Sequence, residues 1–135
     1  MKKEKVLLIG AGPMALEYAK VIQALAVPVI VVGRGKTSAK KFHKSTGLEV
    51  CAGGLSSWIK KHDKHSLPRK AMVVVSERNL GRVTAQLIKA GVKEILVEKP
   101  GGYDSADIRR VGKLAKQHRA KVYVAYTCCC CCIYH

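Results

Sequence analysis

Lys5-Val6-Leu7-Leu8-Ile9-Gly10-Ala11-Gly12-Pro13-Met14-Ala15 is the stretch that decides the fold. Lys5 to Ile9 is a strand candidate, and its apolar run from Val6 is the signature of a strand covered on both faces. Gly-x-Gly-x-x-Ala follows at once and opens a segment in which Met14, Tyr18, Ile22 and Leu25 recur at helical spacing. Strand, glycine turn and helix N-terminus in that order form a mechanical unit. Gly10 permits the tight turn, Gly12 lets backbone approach a pyrophosphate, and small Ala15 lets the helix lie close to the sheet. Pro13 suits the first helical turn, where its missing N–H would have had no partner. The free N–H groups and dipole of that helix end attract an anion. Gly10, Gly12, Pro13 and Met14 are therefore the first candidate ligand-binding residues. A doubly wound domain that kept its glycine turn without a ligand is the competing reading.

The same rhythm continues outward. Further strands are expected at residues 28–32, 48–51, 71–75, 94–97 and 121–125, several of them near-continuous Val/Ile/Leu runs. Helical faces lie between them: Leu80, Val83, Leu87 and Ala90, ended by Gly91, and Ile108, Val111, Ala115 and His118 after a cap at Asp104 or Ser105. Leu55, Trp58 and Ile59 suggest a short helix, and residues 37–45 another. Six strands alternating with helices through short connections imply right-handed crossovers. The expected fold is α/β: one doubly wound domain with a parallel six-stranded sheet, over residues 1–126.

The chain has 135 residues with 25 Lys and Arg against nine Asp and Glu, a formal charge of +16. That balance favours anionic partners. The cations are dispersed over several helices, however, and one Trp, one Phe and five Tyr supply no pattern of rings interleaved with cations. Specific nucleic-acid binding is not expected. No apolar run approaches the ~20 residues of a membrane span. Met1-Lys2-Lys3-Glu4-Lys5 precedes too short an apolar run for a secretory leader. A cytoplasmic protein is expected, with Cys51 compatible with reducing conditions. Residues 127–135 form an anomalous tail containing five consecutive cysteines, 128–132. Adjacent residues of an extended chain point to opposite faces, so this run does not match the paired spacing of a zinc site, and no metal is expected.

The second strand runs into Val32-Gly33-Arg34-Gly35-Lys36-Thr37-Ser38. An NAD-binding turn carries a carboxylate there for the ribose 2′-hydroxyl. This turn carries Arg34 and Lys36 instead, with Thr37 and Ser38 as hydroxyl donors. A guanidinium fork matches a 2′-phosphate, so NADP is favoured and NAD is the alternative. A solvated arginine in an exposed turn is the bland reading. The fifth strand ends in Val97-Glu98-Lys99-Pro100-Gly101-Gly102, at the strand ends where such sheets bind ligands. Burial beside another cation would suit Lys99 to proton transfer, whereas a surface lysine in a proline turn is the alternative.

With Gly10-Ala11-Gly12, Ala90 to Gly102 and Val124-Ala125-Tyr126, the chain resembles the N-terminal domain of the Gfo/Idh/MocA oxidoreductases. The resemblance implies hydride transfer between a nicotinamide and a hydroxyl or keto carbon of a sugar, cyclitol or related compound. It implies Lys99 as the catalytic lysine, orienting substrate and nicotinamide ribose and assisting proton transfer, and a cis Lys99–Pro100 peptide. Glu98 would bind or position the nicotinamide ribose region, and Ser76 and Asn79 would line the cofactor crevice. The sequence departs from the family after Tyr126, where Thr127 and the cysteines replace a Tyr-Asn-Arg-Arg-Phe-like segment. The family's C-terminal domain, bearing most substrate contacts, has no counterpart in these residues. The chain alone is expected to bind cofactor without turnover; the alternative is a free-standing, non-catalytic dinucleotide-sensing module. Oligomeric state is left open.

Overall fold

A computed structural model describes residues 3–126. The cysteine run at 128–132, for which no metal is expected, lies outside the described residues. Six parallel strands, β1 (Val6–Ile9), β2 (Val29–Val32), β3 (Val50–Cys51), β4 (Lys70–Val73), β5 (Glu94–Glu98) and β6 (Lys121–Ala125), lie in the order β3-β2-β1-β4-β5-β6. Five helices connect them: α1 (Pro13–Ala24), α2 (Lys36–Thr46), α3 (Leu55–Lys60), α4 (Glu77–Ala90) and α5 (Ser105–Gln117). The expected doubly wound α/β architecture is the one observed. None of the described helices is long and apolar enough to cross a membrane.

Alternation along each strand divides the core in two. Leu7 and Ile9 of β1, Val32 of β2, and Ala71 and Val73 of β4 face Trp58, Leu80, Leu87 and Val111 of α3, α4 and α5. Leu8, Val31 and Val74 face the opposite way, onto Ala15, Ala19 and Ile22 of α1 and Phe42 of α2. Leu7 and Leu8 are completely buried, each burial contributing about 2 kcal/mol. Strands buried on both faces cannot alternate apolar with polar, which is why they read as continuous apolar runs.

Two helical faces differ from their expected form. Met14 and Leu25 are 45% and 57% exposed; Ile22 is buried as expected, but its buried companions on α1 are Ala15 and Ala19. Small residues let this helix approach the sheet closely, and the larger Met14 is turned toward the loops. In α5, Ile108 is 43% exposed and His118 is the exposed C-cap rather than part of the buried face. Val111 and Ala115 are buried there, with Leu114 packed against the core. Asp104 supplies the expected cap, accepting from the Asp107 N–H at 2.8 Å. Gly91 ends α4 in the left-handed conformation, as expected.

β4 stops at Val73, two residues before its expected end. Val74 still donates to the Ile9 carbonyl at 2.8 Å, but its own carbonyl presses on the turn leaving β1. A Cβ on Gly10 would lie 2.0 Å from that oxygen, and Gly10 has a φ of +127°. Both terms act against any other residue. Gly10→Ala is expected to lower the unfolding free energy by about 3 kcal/mol in a urea titration, and a loss below about 1 kcal/mol would mean the turn can relax.

Candidate functional site

The strand order places β1 between β2 and β4. Chain leaving β1 turns toward β2, whereas chain leaving β4 turns the other way, so the loops part above their carboxyl ends. Two adjoining clefts occupy this opening. The first, of about 360 Å³, is lined by the glycine turn from Gly10 to Ala15, by Arg34, Gly35 and Ser38, and by Ser76 and Glu98. The second, of about 210 Å³, shares Gly10 and Arg34 and is walled by Gly53, Gly54, Ser56, Asn79, Arg82 and Gln86.

The first cleft is built to receive an anion. Gly12 is the N-cap of α1 and Pro13 its first residue; no side chain caps the helix and no acidic residue lies in its first turn. The N–H end is thus left facing the cleft with its dipole uncompensated. Gly12 lines the cleft, and a Cβ there would meet no protein atom within 4 Å.

Arg34 reaches both clefts because its loop is tied down from behind. The Gly53 N–H donates to the Arg34 carbonyl at 3.2 Å, and the Gly54 N–H to the Gly33 carbonyl at 2.9 Å. Of its companions in the turn, Ser38 lines the first cleft, whereas Lys36 and Thr37 are exposed and line neither. The three occupy successive positions in the first turn of α2, so they point in different directions.

At the start of α4, the Asn79 side-chain amide donates to Ser76 Oγ at 2.8 Å and its oxygen accepts from Arg82 at 3.0 Å. Gln86 donates to Ser56 Oγ at 2.6 Å. Its Oε1 is buried without a partner, an acceptor that an N–H-bearing ligand would satisfy. Arg82, Gln86, Ser56 and the Gly53-Gly54 pair escaped the sequence reading. One signal was present: Asn79, Arg82 and Gln86 form a polar stripe at i, i+3 and i+7 beside the apolar one.

Glu98, the last residue of β5, is only 9% exposed. It shares the face of Leu96, toward α1, and accepts a hydrogen bond from the Tyr18 hydroxyl. Burial, reinforced by the hydrogen bond and the charge of Glu98, pushes that hydroxyl well above the usual phenol range. Tyr18 therefore remains a donor. Lys99, next in the chain, follows a different course. Its peptide to Pro100 is cis, as the resemblance implied, but its side chain is exposed and lines neither cleft. The expected burial of Lys99 is not provided by this domain, because β5 ends at Glu98 and Lys99 lies in the exposed turn that follows it.

The oxidoreductase family model with an NAD-binding Rossmann fold, Gfo/Idh/MocA, matches residues 4–126. The chain belongs to that family. No curated protein matches it significantly. Several solved structures share the fold of this Gfo/Idh/MocA domain. WlbA dehydrogenase from Chromobacterium violaceum, solved with NADH and UDP-GlcNAcA, superimposes with a TM-score of 0.79 at 17% identity, over 93% of this chain and 35% of its own. GenD2 from gentamicin A biosynthesis, solved with NAD, gives 0.74 at 23% identity, over 93% and 35%. UDP-N-acetylglucosamine 3-dehydrogenase GnnA from Acidithiobacillus ferrooxidans gives 0.74 at 15%, over 92% and 38%. The Gfo/Idh/MocA domain described here thus spans little more than a third of the length of these relatives.

The open space at Gly12 separates folding from binding. Gly12→Ala is expected to unfold within about 0.5 kcal/mol of the unmodified chain and to bind nicotinamide dinucleotide about tenfold or more weakly. Thermal melts and fluorescence titration measure the two quantities on one sample.

Proposed function

We propose that this chain is the NADP-binding domain of an oxidoreductase that moves hydride between a nicotinamide and a hydroxyl or keto carbon of a sugar, cyclitol or related compound. The observation that carries the cofactor reading is Arg34, placed at the end of β2 where both clefts meet. Among the described residues lining the second cleft there is no carboxylate, and Arg82 stands among them as a further cation. An NAD site uses a carboxylate at this position for the 2′-hydroxyl; a 2′-phosphate calls for guanidinium instead. WlbA, solved with a nucleotide sugar and NADH, supports the sugar-like substrate class.

The residues present fit such a cofactor. Gly10 closes the turn, Gly12, Pro13 and Met14 form the phosphate wall with the α1 N-terminus, and Arg34 and Ser38 take the 2′-phosphate. Lys36 and Thr37 add a cation and a hydroxyl beside that wall without lining it. Ser76 and Asn79 hold the middle of the crevice through their mutual hydrogen bond, and Glu98 accepts ribose hydroxyls on the nicotinamide side. Bound dinucleotide supplies the hydride donor or acceptor. Lys99 orients substrate and assists proton transfer; its exposure means that the surface completing its surroundings comes from outside the described residues. We place the protein in the cytoplasm, where the exposed Cys51 thiol stays reduced.

A non-catalytic reading applies to the 135-residue polypeptide by itself, because Lys99 lines neither cleft, and among the described residues neither cleft brings it to a site that would hold a substrate in attack geometry. The polypeptide is expected to bind NADPH without steady reduction of sugar ketones, and Lys99→Ala to bind it within about twofold of the unmodified chain; measurable turnover would overturn this. NADPH is expected to bind about tenfold or more tightly than NADH, with Arg34→Ala abolishing the difference. Equal or tighter binding of NADH in a fluorescence titration would exclude the NADP assignment.

A further inference from the structure

We propose that Tyr18 is a positioning residue for the cofactor: its hydroxyl holds Glu98 so that the carboxylate's remaining oxygen accepts from the ribose hydroxyls of the nicotinamide half. This rests on the reading of the clefts as a dinucleotide site.

Glu98 is the sole carboxylate among the described residues lining the first cleft. The other charged or dipolar features there, the N-terminus of α1 and Arg34, favour negative charge. A carboxylate in such a place repels a pyrophosphate unless hydrogen-bond donors come between them. A ribose diol offers two. Glu98 ends β5, whereas Arg34 follows β2, and these strands lie on opposite sides of the β1–β4 boundary. The half of the ligand that meets Glu98 is therefore the half that Arg34 does not hold.

Tyr18 fixes which oxygen is free. Its hydroxyl donates to Glu98 Oε2, so Oε1 is left to receive a ligand, and rotation of the carboxylate is restrained. Tyr18 lies on α1 between Ala15 and Ile22, both buried against the sheet. The same helix presents its N–H end to the phosphates. One rigid element thus sets the distance between the phosphate wall and the ribose acceptor. The raised hydroxyl pKa keeps Tyr18 protonated, hence a donor, throughout the working range.

The test measures binding to the 135-residue chain of NADPH and of adenosine 2′,5′-bisphosphate, a fragment lacking the nicotinamide mononucleotide. Tyr18→Phe is expected to weaken NADPH about three- to tenfold and to leave the fragment unchanged. Glu98→Ala is expected to weaken NADPH at least as much, and adding Tyr18→Phe to it should cost nothing further, because no carboxylate remains to be positioned. Thermal melts identify any variant that fails to fold, and Glu98→Ala then carries the comparison between NADPH and the fragment alone. Equal losses for both ligands, additive losses in the double variant, or unchanged NADPH binding by Tyr18→Phe would each overturn the proposal. An unmodified chain that binds neither ligand would instead overturn the dinucleotide reading on which it rests.

Discussion

The contact between the Gly10 α-carbon and the Val74 carbonyl governs the rest of the molecule. β1 and β4 run side by side, and chain leaving each must turn away at once without colliding with the other. A Cβ at Gly10 would sit 2.0 Å from that carbonyl oxygen, so any other residue strains the turn. Because the turn is so tight, only three residues separate β1 from α1. Its N-terminus then stands directly over the opening between the loops. The phosphate wall is thus a consequence of packing at the sheet, before any residue is chosen for binding.

Electrostatics in this domain works locally against a strongly basic background. Exposed cations on the helices interact weakly through water and are screened beyond about 8–10 Å. Arg34 differs because the Gly53-Gly54 loop holds its backbone where two clefts join. Glu98 differs in the opposite sense, as a buried acid in surroundings that favour anions. A buried carboxylate without partners is costly, and Tyr18 supplies one. Placing Arg34 and Glu98 on opposite sides of the switch point gives the site two ends with different chemical preferences.

Much of the fold was legible because its signals are local. Most strands declared themselves by an apolar run, whereas 48–51, interrupted by Glu49, gave a weak signal and pairs only at Val50 and Cys51; the α4 stripe of Leu80, Val83, Leu87 and Ala90 is buried throughout. Where legibility failed, distance along the chain or depth of packing was the cause. Periodicity assigned Met14, Leu25 and Ile108 to buried faces, but it cannot tell that alanines bring α1 closest to the sheet. His118 continued the α5 spacing, yet the helix ends before it. Arg82 and Gln86 share a cleft with Ser56 and Arg34 only because α4 lies beside α3.

The sequence by itself determined the order of elements, the glycine turn, the absence of a carboxylate after β2, and family membership through the Glu98-Lys99-Pro100 turn. These are properties of neighbouring residues, carried by backbone sterics and short-range hydrogen bonding. Only the tertiary structure decided that Glu98 turns inward to Tyr18, 80 positions away in the chain, while Lys99 turns out to solvent. It also decided that Arg34 spans two clefts whereas Lys36 and Thr37 reach neither. The physical reason is that strand alternation and helix rotation set side-chain direction relative to partners. Those partners are brought together by sheet order and core packing rather than by spacing in the chain.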